Sequence, residues 1–166
     1  MSTTPMSTAP MSSRGHAPEP TQAVLDRVLV GLPDVAADLD AAHRAAWDAV
    51  DLALVELTRL RTAMMLGNAA ELVARTPGTG VDEETIAELS LWPTSPRFGE
   101  RERACLTFLE QHLIDVANVT EEQTEAVAAH LGHDGLASYA SVVLVLEQRQ
   151  RLRLAWDRLF ARQEMP

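Results

Sequence analysis

From Thr21 onward the apolar residues fall three and four positions apart, the spacing that gathers them on one face of a helix, and no segment alternates with the period of a half-buried strand. The pattern predicts an all-α fold of about seven helices. Thr21 opens a short helix carrying Val24, Leu25, Val28 and Leu29, which Gly31-Leu32-Pro33 stops. A second helix begins at Asp34 and turns Val35, Leu39, Ala42 and Ala46 to one side, with Trp47 near its end. Residues 51–75 carry the stripe Leu54, Leu57, Leu60, Met64 and Met65, with Asp51 as a cap or as part of the run. Gly67-Asn68 breaks or kinks this segment, because glycine is costly inside a helix. The turn Thr76-Pro77-Gly78-Thr79-Gly80 follows, then a short helix from an Asp82 cap to about Leu91, then a loop at 92–96 whose two prolines block helix. Gly99 to Val116 is amphipathic, with Cys105, Leu106, Leu109, Leu113 and Val116 on one face. Thr120 and Gln123 fit a capping box for a helix to about Leu131. Gly132-His133-Asp134-Gly135 turns the chain into a last helix over about 135–161. That helix is apolar nearly all round at Val142–Leu146, as a segment buried in a core or between subunits would be.

Residues 1–20 are low in complexity and rich in Pro, Ser and Thr, so they are expected to form a disordered tail before one domain over 21–162. A chain of 166 residues suits one domain with a real core. Aromatics are only 4%, which leaves the core to Ala, Leu and Val and favours helix over sandwich. The net charge of −10 repels phosphate backbones and argues against nucleic acid as a partner. All 14 basic residues are arginine, which rules out a lysine Schiff base. Cys105 stands alone, so no intrachain disulfide forms, and there is no Cys/His spacing for zinc. No Gly-rich phosphate loop is present, and neither a metal nor a cofactor is expected. No apolar run reaches the length of a membrane span, so the expected location is the cytoplasm and no membrane partner is anticipated.

Several weak motifs follow one another in a telling order. Val55-Glu56-Leu57-Thr58-Arg59-Leu60-Arg61 lies on a helix, Gly67 precedes a second short helix, and a Pro-containing loop follows. Phe98-Gly99-Glu100-Arg101-Glu102-Arg103-Ala104 comes next, then Val119-Thr120-Glu121-Glu122 and the long apolar last helix. Over residues 35–160 this order resembles the carboxymuconolactone decarboxylase and AhpD-like alkylhydroperoxidase superfamily. The resemblance implies an AhpD-like helical domain that assembles as a homotrimer or a hexamer. It places the family's helix glutamate at Glu56 and its glycine at Gly67. The two reactive cysteines fall on Asn68 and Glu71, the residue before the second on Ala70, and the trailing histidine on Arg75. Both thiols and the histidine are therefore absent.

Peroxidase chemistry in such a family needs one thiolate to attack peroxide and a second thiol to resolve the sulfenic acid. This chain lacks that pair, and Cys105 reads as a small core residue. Decarboxylases of the superfamily work without thiols. The resemblance thus implies a cofactor-free lyase or isomerase acting on a small organic, carboxylated substrate, of the kind met in secondary metabolism. Glu56 and Glu71 would move the proton, and Asn68, Arg75 and His112 would hold the substrate. The residues alone also admit plainer readings. Glu71 and Arg75 are spaced as a surface ion pair, Glu56 and Arg59 as an i,i+3 pair, and His112 as a residue at the edge of the core. The arginines of the last helix suit pairing with Glu147 and Asp157. These plainer readings fit a non-catalytic oligomeric binding or scaffold protein, in which Glu56 would be tied to Arg59 or Arg61.

Overall fold

Each capping side chain at residue 51, 82 and 120 opens a helix in the structure, a computed structural model that describes residues 25–161. Asp51 accepts from the Leu54 N–H at 3.0 Å and Asp82 from the Thr85 N–H at 2.7 Å. Thr120 and Gln123 close the expected box, with reciprocal bonds of 3.3 and 2.9 Å. The helices run in the predicted order: α1, of which residues 25–28 are described, α2 (Pro33–Ala49), α3 (Leu52–Leu66), α4 (Ala69–Val73), α5 (Glu83–Glu88), α6 (Glu100–Asp115) and α7 (Glu121–Ala161). Short 3-10 turns at Leu89–Leu91 and Val116–Asn118 extend α5 and α6. Among the described residues there is no strand, and no helix is long and apolar enough to cross a membrane. The expected tail and the Thr21 cap lie outside the described residues.

Two glycines set the path of the chain. Gly67 takes φ 68°, which a side chain would disfavour, and ends α3 in the doubly bonded reversal typical of a helix C-terminus. Its N–H reaches the Met64 carbonyl and the Asn68 N–H reaches that of Ala63. The expected turn at 132–135 is sharper than a loop. Gly132 alone leaves helical geometry, at φ 76° and ψ 168°, and the helix resumes at once. Gly135 fits the kink because a Cβ there would lie 2.7 Å from the Leu131 Cβ.

The core is organised around α3. One cluster joins Leu54, Leu57 and Leu60 to Ile86, Leu89, Trp92, Phe98, Leu106, Leu109 and Val143. A second joins Val55 to Ala46 and Trp47 of α2 and to Val142 and Leu146 of α7. With α2, α6 and α7 packed round it, α3 is buried on all sides from Leu54 to Leu60, not along one stripe. Two placements differ from the sequence reading. Val116 falls in the 3-10 turn, where the register of α6 ends, and is 60% exposed rather than on the buried face. Leu144 is 50% exposed, so α7 is not covered all round in the single chain.

Tyr139 links three helices through its hydroxyl, which lies 3.1 Å from Thr58 Oγ1 and donates to the Cys105 carbonyl at 3.1 Å. Burial pushes its pKa well above the usual phenol range, and burial likewise pushes the Cys105 thiol up to about 12. Both folded values exceed the unfolded ones. The stability these groups contribute is therefore complete below the unfolded pKa values and is lost as pH rises through and beyond them. Tyr139 is the only tyrosine. In an alkaline titration, tyrosinate absorbance should appear only together with loss of helical circular dichroism. Tyrosinate forming near pH 10 with the helices intact would contradict this burial.

Candidate functional site

Glu56 and Arg59 lie on the same side of α3, less than a turn apart, in the stretch of the helix that is buried on all sides. A guanidinium in that position is tolerable only if every N–H finds an acceptor, because an unpaired buried charge costs several kcal/mol. Arg59 has five N–H groups, and all five are used. Nε donates to Glu56 Oε2 at 2.9 Å and Nη2 to Glu56 Oε1 at 2.7 Å, a two-pronged pair. Nη1 donates to Glu71 Oε2 at 2.8 Å and to the Glu71 carbonyl at 2.7 Å. The second Nη2 bond goes to the Ala74 carbonyl at 2.9 Å. The three side chains are each no more than 2% exposed. Burial alone pulls the Arg59 pKa down; the bonds and fields of Glu56 and then Glu71 more than reverse this, and it ends above the ordinary arginine value.

The neighbouring elements complete this clasp. After the reversal at Gly67, α4 folds back against α3. Asn68 caps it, with Oδ1 accepting from the Glu71 N–H at 3.4 Å. Gln150 of α7 donates to the Arg59 carbonyl at 3.0 Å and lies 3.4 Å from Asn68 Nδ2. Arg153 Nη1 stands 4.0 Å from Glu71 Oε1, so a second positive charge balances the second carboxylate. The Thr76 N–H reaches Glu56 Oε1 at 3.4 Å.

Of the residues singled out from sequence, Glu56, Asn68 and Glu71 come together here. Arg75 and His112 do not join them. Because α4 ends at Val73, the i,i+4 geometry expected of Glu71 and Arg75 does not exist. Arg75 turns outward and pairs with Glu83 at 2.6 and 2.9 Å, while Glu71 turns inward to Arg59. His112 faces Glu147 of α7 at 3.4 Å and packs against the Phe108 ring. The position expected of Arg75 beside the carboxylates is taken by Arg59. Arg61 pairs elsewhere, with Glu110 at 2.6 Å. On α7 the plainer reading of the arginines holds for two of them: Arg151 bonds Glu147 at 2.7 Å and Arg153 bonds Asp157 at 3.3 Å. Gln150 and Thr76 were not among the candidate site residues read from the sequence. Gln150 did carry a signal, as a polar residue continuing the buried Val143 and Leu146 stripe. Among the described residues no three His, Cys, Asp or Glu side chains converge as a metal would require.

No family model matches the chain, and no curated protein is significantly similar to it in sequence. Its fold does have solved counterparts. One is the crystal structure of an Agrobacterium tumefaciens protein of unknown function that carries the provisional label of antioxidant defence protein AhpD. It superposes with a TM-score of 0.68 over 77% of this chain and 91% of that one, at 18% identity. The chain thus has the AhpD-like fold, and at that identity the likeness is one of fold alone.

Arg59→Met removes the one cation that both carboxylates share and strands them in a dry interior. Urea denaturation should show a loss of about 3–5 kcal/mol. Arg61→Met, which breaks a partly buried pair, should cost less, about 1 kcal/mol.

Proposed function

We propose that this chain is a non-catalytic, self-associating binding or scaffold protein built on the AhpD-like fold, with a structural clasp at the position the superfamily uses for chemistry. The observation that carries this reading is the saturation of Arg59. Both Glu56 oxygens are held by a guanidinium that stays charged at any working pH. Held in this way, both carboxylate oxygens face Arg59 rather than a substrate. Glu71 is engaged in the same way through Oε2.

The residue types at the two thiol positions support the same conclusion. Asn68 is the N-cap of α4, and asparagine is among the best N-caps, whereas cysteine is not a favoured one. Glu71 is the third residue of α4, where a carboxylate suits the positive helix end. These are the residues that a helix start selects for stability, not those a redox step selects for reactivity. Thiol chemistry would also need a second cysteine, and Cys105 is fully buried with its thiol held protonated. Self-association is supported by the large apolar side chains that α6 and α7 leave in water. Ile114 is 72%, Val116 60% and Leu144 50% exposed.

Three measurements test the proposal. Hydrogen peroxide and an organic hydroperoxide, supplied with a dithiol reductant, should be consumed no faster than in a blank. A panel of small unsaturated and lactone carboxylates should likewise be returned unchanged. Turnover of any of them that Glu56→Gln abolishes would overturn the non-catalytic reading in favour of a lyase or isomerase. Sedimentation should give a mass that is a multiple of the 18.1 kDa chain. A monomer at micromolar concentration would overturn the self-association.

A further inference from the structure

We propose that residues 74–81 form a strap that opens as a unit of its own and is held shut against the Glu56–Arg59 clasp by the exposed Arg75–Glu83 ion pair. The inference concerns the motion of the fold and stands whether or not the clasp is catalytic. The two ends of the segment are fixed. At one end Glu71 is locked to Arg59, and at the other Ile86 and Leu89 of α5 and its extension sit in the core. Between them the attachments are few: the Val81 side chain packs at the edge of the core, Thr79 is buried, and the rest are polar. The Ala74 carbonyl accepts from Arg59 at 2.9 Å, and the Thr76 N–H reaches Glu56 at the long distance of 3.4 Å. The Val81 N–H is satisfied inside the strap, by Thr79 Oγ1 at 3.4 Å.

The tip is built to swing. Gly78 and Gly80 both hold positive φ, at 79° and 76°, and a Cβ placed on either would meet nothing within 4 Å. Arg75 supplies the hold that faces solvent. It makes two bonds to Glu83 and one each to the Leu72 and Ala74 carbonyls, so it ties the strap to α5 and finishes the open end of α4 at once. This hold is in solvent, with Arg75 39% and Glu83 71% exposed, and salt can therefore loosen it. Opening would lift Val81 from the core edge, detach the Ala74 carbonyl and the Thr76 N–H, and turn Arg59 Nη2 and Glu56 Oε1 toward water. Segments with few buried apolar contacts and exposed bonds are the ones that open below the global unfolding free energy.

Amide hydrogen exchange on the full chain tests this. Glu83→Gln should speed exchange of residues 76–81 by about two- to fivefold, the range an exposed ion pair can account for, and leave α3 and α7 as protected as in wild type. The wild-type protein carried from about 0.05 M to about 0.5 M salt should show the same local change without any substitution. Unchanged exchange at 76–81 in both experiments would overturn the proposal. So would a rise at 76–81 that occurs only together with a rise in α3, which would mean that the strap has no motion apart from global unfolding.

Discussion

The positive charge of Arg59 lies at the dry centre of the molecule, and much of the surrounding structure is arranged to make that tolerable. Around Arg59, α3 is enclosed by α2, α6 and α7 and offers no wet face to a charged side chain. Acceptors must therefore be brought to the guanidinium. Glu56 comes from the same helix. Glu71 and the carbonyls of Glu71 and Ala74 come from the segment that Gly67 folds back. Gln150 then fastens α7 to the carbonyl of the same arginine. The desolvation of three charged groups makes such a network a modest net stabiliser at best. Its members are nonetheless interdependent, because removing one leaves the others charged and buried. The clasp thus fixes how α3, α4 and α7 meet, rather than merely adding to stability.

The helices were legible because their signals are local. Asp51, Asp82 and the Thr120–Gln123 box each act within four residues of themselves, and Gly67 ends α3 through a backbone angle that its own lack of a side chain permits. What periodicity could not tell is where packing stops. Val116 continues the α6 pattern in sequence but falls beyond the last regular turn. Leu144 sits in an apolar run yet faces outward.

The site was legible in part for the same reason. The Glu56–Arg59 spacing is a short-range feature and was open to reading as a pair. The partner of Glu71 was not readable in that way. Arg75 is the nearer candidate in sequence, whereas Arg59 is twelve positions back and reaches Glu71 only because the chain reverses at Gly67. The resemblance of ordered weak motifs pointed to the AhpD-like fold at a level where sequence comparison finds nothing. It also drew attention to Glu56, Asn68 and Glu71, which the structure brings together. A scaffold can keep its helix order, its glycine and its glutamate while the side chains between them exchange reactivity for helix capping and internal ion pairing.

A double-mutant cycle between Glu56 and Arg59, read by urea denaturation of Glu56→Gln, Arg59→Met and the double variant, tests the clasp most directly. The account predicts a coupling of about 2 kcal/mol or more, with the double variant far less destabilised than the sum of the singles. A coupling below about 0.5 kcal/mol, with Glu56→Gln as stable as wild type, would contradict it, because Glu56 would then be free of Arg59 and available for chemistry.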